Sequence, residues 1–144
     1  MTKVDFYITE NKKPTARLDL ACRLAEKIHT LGHHIYIHTD DETQSQTIDD
    51  LLWTFKQDSF LPHCIVTTEC DHEDNTILIG HDLNNEHEDD VLINLSSEVP
   101  SFFSRFHRVV ELIDQDEKQR QMGRDRFKFY KERGYPLDSH PIKS

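Results

Sequence analysis

Residues Val4–Thr39, VDFYITENKKPTARLDLACRLAEKIHTLGHHIYIHT, read as strand, helix, strand. Val4–Thr9 (VDFYIT) is a β-branched and aromatic run, the composition of a strand. Pro14 suits the first turn of a helix. Leu18, Cys22, Ala25 and Ile28–Leu31 then recur at helical spacing, and Gly32 supplies a stop. His34–Thr39 (HIYIHT) is a second strand.

The alternation continues outward from this unit. Asp40, Asp41 or Thr43 can cap a second helix with Ile48, Leu51, Leu52 and Phe55 as its apolar stripe. Ser59–Pro62 (SFLP) breaks that helix. Ile65–Thr68, Ile77–Gly80 and Val91–Leu95 are short apolar runs between acidic loops and read as strands. Ser101 caps a short turn through Phe102–Phe106, and Arg108–Ile113 (RVVELI) is the last expected strand. Asp114 or Asp116 can cap a terminal helix that runs to about Arg133 and stops at Gly134. Strands that alternate with helices imply an α/β fold: one domain with a mostly parallel sheet and helices on both faces. The domain is expected over residues 1–134, with 135–144 a tail.

At 144 residues the chain can bury one hydrophobic core. Its three cysteines (Cys22, Cys64, Cys70) are an odd number without repeated spacing, which fits reduced thiols. No apolar run is long enough to cross a bilayer, so a soluble, cytoplasmic protein is expected. The net charge of −10 opposes general nucleic-acid binding, which needs a broad excess of Lys and Arg.

Candidate chemistry is sparse. A nucleotide site in this fold class needs backbone amides exposed by glycine after the first strand. The turn here, Glu10-Asn11-Lys12-Lys13-Pro14, has none, and neither GxGxxG nor GxxxxGK[ST] occurs. His63, Cys64, Cys70 and His72 place four soft ligands within ten residues, the basis of a rival reading as a small metal- or nucleotide-dependent enzyme. Their Cys–Cys gap is wider than a structural zinc loop uses, and a buried thiol is the plain account of Cys64. No serine sits in a GxSxG elbow. The acidic pairs Asp40-Asp41, Asp49-Asp50 and Asp89-Asp90 are explained by capping and solvation.

Two surfaces stand out. Trp53, the single tryptophan, falls off the centre of its helix stripe just before the SFLPH break. It is either a partly buried core residue or an interface anchor. The second surface is Arg120–Gly134, RQMGRDRFKFYKERG, a basic and aromatic stretch in an acidic chain. Arg120, Arg124, Phe127, Lys128 and Lys131 share one helix face. A solvated helix end is the ordinary explanation. Cations around an exposed ring also suit an acidic peptide with an apolar end.

In this order, VDFYI, DDLLW, SFLPH, VLINL, PSFFSRF, VVELID and RDRFKFYKERGY resemble the chi subunit family of bacterial DNA polymerase III, an accessory protein of the clamp loader. The match spans most of the chain. The resemblance implies a non-enzymatic, Rossmann-like domain without a phosphate-binding loop, a cofactor or direct contact with nucleic acid. It implies two partners: the psi subunit of the clamp loader, and the acidic C-terminal tail of single-stranded DNA-binding protein. Tail contacts are then expected on Arg120, Arg124, Phe127 and Lys128, with Tyr130 and Lys131 beside them. The psi contact is expected on Trp53 and Phe60, with Leu61, Pro62 and His63 nearby. Some chi proteins use that second surface for a helicase-like repair partner. The family's tyrosine at the position of Phe127 is a phenylalanine here, and the acidic segment Asp71–Asp90 has no clear counterpart.

Overall fold

Among the described residues seven parallel strands form one sheet, in the order β3-β4-β2-β5-β6-β1-β7. The structure is a computed structural model that describes residues 2–55, 61–66, 76–81 and 90–142. The strands are β1 (Lys3–Thr9), β2 (Ile35–His38), β3 (His63–Ile65), β4 (Ile77–Gly80), β5 (Val91–Asn94), β6 (Arg108–Ile113) and β7 (Leu137–Ile142). The helices are α1 (Ala16–Thr30), α2 (Glu42–Thr54) and α3 (Glu117–Glu132), with a 3-10 turn at Phe103–Arg105. Asp41 caps α2 by accepting from the Gln44 amide at 2.8 Å, and Asp116 caps α3 through the Gln119 amide at 3.0 Å. Gly134 follows α3 at φ +80°, the left-handed stop its sequence suggests.

Side-chain alternation sorts the core onto the two faces of the sheet. Ile35, Ile37, Ile77, Ile79, Val91 and Ile93 pack with Leu20, Leu24, Ile28, Ile48 and Leu52 of α1 and α2. Val4, Phe6, Tyr36, Leu78, Leu92 and Val109 pack on the opposite side with Phe102, Phe103, Phe106 and Tyr130. Buried on both faces, the central strands read as continuous apolar runs, as parallel strands do.

The sequence reading needs two corrections here. The expected tail is a strand: Leu137–Ile142 pairs parallel with β1 in register from Val4↔Leu137 to Thr9↔Ile142. Pro141 hides it from a pattern search, yet an edge strand tolerates proline because one side makes no ladder bonds. The third strand begins at His63, earlier than expected, so His63 and Cys64 are strand residues. Residues 67 and 68 of the expected strand lie outside the described ones.

Candidate functional site: a groove between the terminal helix and the sheet edge

The stripe that α3 buries is Gly123, Arg126 and Tyr130. These positions fall at i, i+3 and i+7, one helical face. Gly123 lets the helix lie close on β6, since a Cβ there would fall 2.0 Å from Ile113 Cδ1. Arg126 and Tyr130 reach a carboxylate beneath the helix. Glu111, fully buried on β6, accepts from Arg126 Nε at 2.8 Å, Tyr130 Oη at 2.7 Å and Asn94 Nδ2 at 2.9 Å. Arg126 Nη1 also donates to the Ser97 carbonyl at 3.0 Å, while its Nη2 is buried without a partner among the described residues. Burial foremost, and then the Glu111 charge, holds the Tyr130 phenol well above its ordinary pKa.

This anchoring fixes which face of α3 remains outward. Arg120, Gly123, Arg124 and Phe127 form one wall of a groove whose floor is Phe6, Ile8 and Ile113 and whose far rim is Ser139 of β7. Its volume is about 190 Å³. That is below the roughly 300 Å³ at which pockets for drug-sized ligands begin, and is room for a side chain. The half-buried Phe127 ring meets Phe6 edge-on, with centroids 5.2 Å apart. Arg120 and Arg124 are exposed, and among the described residues neither guanidinium has an ion-pair or hydrogen-bond partner. Like charges at i and i+4 repel, so an anion between them relieves a cost already present.

Of the residues expected to bind an acidic peptide, the structure brings Arg120, Arg124 and Phe127 together. Lys128 and Lys131 are exposed but do not line the groove, and Lys128 lies 3.9 Å from Glu132. Tyr130 is a correction: at 0% exposure it belongs to the core and cannot touch a peptide. Sequence reasoning missed Phe6, Ile8, Ile113 and Ser139, which come from other elements. It gave Arg126 no role. Arg126 lies three residues after Gly123 and four before Tyr130, and that spacing was the available signal for an inward face.

The second expected surface lies on α2 and β3. Trp53 is 55% exposed, which answers the open alternative in favour of a surface residue. Its ring packs against His63, with centroids 4.8 Å apart. The His63 side chain is buried, with Nδ1 2.6 Å from the Leu61 carbonyl and Nε2 3.4 Å from Asp49 Oδ1. That second contact is an ion-pair distance and not a hydrogen bond. Burial raises the Asp49 pKa, with the His63 charge opposing it. Leu61, expected at this interface, is 4% exposed and packs in the core. Pro62 is half-buried, and Phe60 lies outside the described residues. With β3 and β7 at opposite edges of the seven-stranded sheet, the two surfaces are roughly 30 Å apart.

Cys70 and His72 of the rival ligand cluster lie outside the described residues. Cys64 is disulfide-bonded, against the expectation of a free thiol, and a disulfide sulfur is not the thiolate a metal takes. Cys22 is free and buried. Among the described residues Asp5, Asp138 and His140 come close enough to share a cation. Protein groups already hold them: Arg108 Nε is 2.7 Å and His140 Nε2 2.9 Å from Asp5, and Lys3 Nζ is 3.0 Å from Asp138. Burial pushes the Asp5 pKa up, but the bonds from His140 and Arg108 prevail and lower it. The cluster fastens β7 to β1.

The fold and groove define a parallel α/β domain that presents a basic, apolar-floored cleft at one sheet edge. No helix among the described residues is long and apolar enough to cross a membrane. Residues 1–138 match the family model described as DNA polymerase III chi subunit, HolC. The chain belongs to that family. It is 44% identical over 143 residues to DNA polymerase III subunit chi of Pseudomonas aeruginosa, covering 99% of this chain and 98% of that one. Identity is 28% to the subunit chi of Haemophilus influenzae, covering 95% of each chain, and 24% to that of Escherichia coli, covering 96% of this chain and 97% of that one. In structure the chain resembles part of T4 UvsW, with a TM-score of 0.70 at 10% identity, covering 99% of this chain and 42% of that one. At that identity the likeness is one of fold.

Proposed function

We propose that this chi-family protein is a non-catalytic adapter of the replicase. The groove on α3 takes the acidic C-terminal tail of single-stranded DNA-binding protein, and the Trp53 surface takes the psi subunit of the clamp loader. The observation that carries the tail reading is the couple Arg120 and Arg124, unpaired among the described residues, beside an apolar floor. Carboxylates of the tail pair with the guanidiniums, and its apolar terminal side chain enters over Phe6, Ile8 and Phe127. Lys128 and Lys131 contribute long-range attraction that salt screens. Micromolar affinity, about −8 kcal/mol, suffices, because tails are presented many times along coated single strands and the tether to the clamp loader raises effective concentration. The exposed Trp53 supports the second surface, since an unburied tryptophan backed by a fixed histidine is a ready interface anchor. The separation of the two surfaces supports simultaneous engagement of both partners. A repair helicase is a further candidate for the Trp53 surface.

The test is Arg124→Ala. A charge-assisted bond contributes roughly 1.5–3 kcal/mol, so tail affinity is expected to fall at least about tenfold while the fold is kept. Equal binding by wild type and variant would remove Arg124 from the site.

A further inference from the structure

A second cavity, of about 540 Å³, opens between the β1–α1 turn and the starts of α2 and α3. It shares no lining residue with the groove on α3. Arg17 lines it at 7% exposure. Nη1 donates to the Leu95 carbonyl at 3.1 Å. Among the described residues the guanidinium makes no other hydrogen bond, and no carboxylate stands within 4.0 Å of it. Burial is the first cause lowering its pKa and the nearby Arg126 charge the second, with Asp114, Glu111 and Asp40 opposing. A buried cation that no carboxylate touches is incompletely compensated, and an incoming anion offsets that cost.

The surroundings favour such a ligand. Exposed Lys12 and Lys13 line the mouth. Thr15 makes no side-chain cap on α1, and the Ala16 amide bonds the Lys13 carbonyl at 3.0 Å. The amides of Arg17 and Leu18 have no acceptor among the described residues, so two donors at the positive end of a 15-residue helix are free. The cavity also holds Asp114 and Asp116. Both are engaged: Asp114 Oδ1 accepts from the Asp116 amide at 3.0 Å, and Asp116 caps α3. Three cations against two carboxylates leave a positive site on a chain of net charge −10.

We propose that this cavity binds a single phosphate group, held by the Arg17 guanidinium and the free amides of α1, with Lys12 and Lys13 across its mouth. The turn Glu10–Pro14 has no glycine with which to wrap a longer polyphosphate, so the class is free phosphate or a phosphate monoester.

The test is amide-resolved NMR of the full chain titrated with inorganic phosphate and, in a second arm, with adenosine monophosphate. Ionic strength is held with chloride. Saturable shifts at the Arg17 and Leu18 amides are expected, and tighter binding in the second arm would identify a monoester as the ligand. Arg17→Gln is expected to weaken binding at least about tenfold, from the loss of a charge-assisted bond. Lys13→Gln, which touches no buried contact, is expected to weaken it several-fold and serves if Arg17→Gln does not fold. Binding of the acidic tail peptide should stay unchanged in Lys13→Gln, which separates this site from the groove. Shifts that chloride reproduces, or variants that bind phosphate as wild type does, would overturn the proposal.

Discussion

Replacing Arg126 by Met tests what holds α3 in place. Arg126 is 3% exposed and its partner Glu111 is fully buried. Removing one member of a buried ion pair costs about 3–5 kcal/mol, because the other charge stays in low dielectric. Two features of the site moderate this. Glu111 keeps its bonds from Tyr130 and Asn94, and the substitution also removes the orphaned Nη2 of Arg126. A buried unsatisfied donor costs about 1 kcal/mol or more, so the net expectation is about 2–4 kcal/mol. For a domain of this size that is a drop in Tm of about 6–12 °C, at about 3 °C per kcal/mol. Urea unfolding monitored by Trp53 fluorescence, with calorimetry beside it, would measure the loss. Adding Glu111→Gln discharges the stranded carboxylate while its amide oxygen still accepts from Tyr130 and Asn94. The double variant should therefore recover about 1–2 kcal/mol relative to the sum of the single losses. An Arg126→Met loss below about 1 kcal/mol, or strict additivity in the double variant, would refute the claim that this pair anchors the helix.

Other consequences follow from the same geometry. Gly123→Ala puts a Cβ into Ile113 Cδ1, which must turn away into the groove floor, so a stability loss of up to about 2 kcal/mol, net of the roughly 1 kcal/mol alanine gains in a helix, should accompany weaker tail binding; intact affinity would show that the groove does not depend on that approach. Tyr130 titrates above its ordinary value of 10.0 when folded, so its contribution is complete below about pH 10 and is lost as pH rises from there. Alkaline unfolding of Tyr130→Phe should show a shallower slope than wild type, and an identical slope would contradict this. His38 at the end of β2 is 2% exposed, and burial, offset in part by the Asp40 charge, lowers its pKa from 6.5 to about 4. The unfolded chain takes up that proton first, so stability should fall between about pH 6.5 and 4, by no more than about 3 kcal/mol. Imidazole NMR showing His38 protonated at pH 6 would contradict the assignment.

Much of the fold is legible because the parallel sheet is written in local pattern. β4 and β6 are apolar runs with the predicted bounds, and the Asp41 and Asp116 caps were among those the sequence offered. What escaped depends on partners distant in sequence. β7 carries Asp138, Ser139, His140 and Pro141, and is a strand because β1 offers it a ladder and the Asp5 carboxylate meets His140. Tyr130 was assigned to peptide binding through the family resemblance, and α3 is amphipathic in an unusual sense. Its buried face contains a glycine, an arginine and a tyrosine, so hydropathy does not say which side is inward. Only the buried Glu111, nineteen residues before Tyr130, settles the rotation of the helix. The basic couple Arg120 and Arg124 was legible, whereas the floor that turns two cations into a groove comes from β1 and β6.

The account turns on capture of an acidic C-terminal tail by this groove. The most direct measurement is titration of the protein with a fluorescent peptide from the acidic C-terminus of the cognate single-stranded DNA-binding protein, beside the same peptide lacking its final apolar residue. The account predicts saturable, salt-sensitive binding of the intact peptide, and loss of nearly all of it on truncation. Equal binding of the two peptides, or none at high micromolar protein, would contradict it.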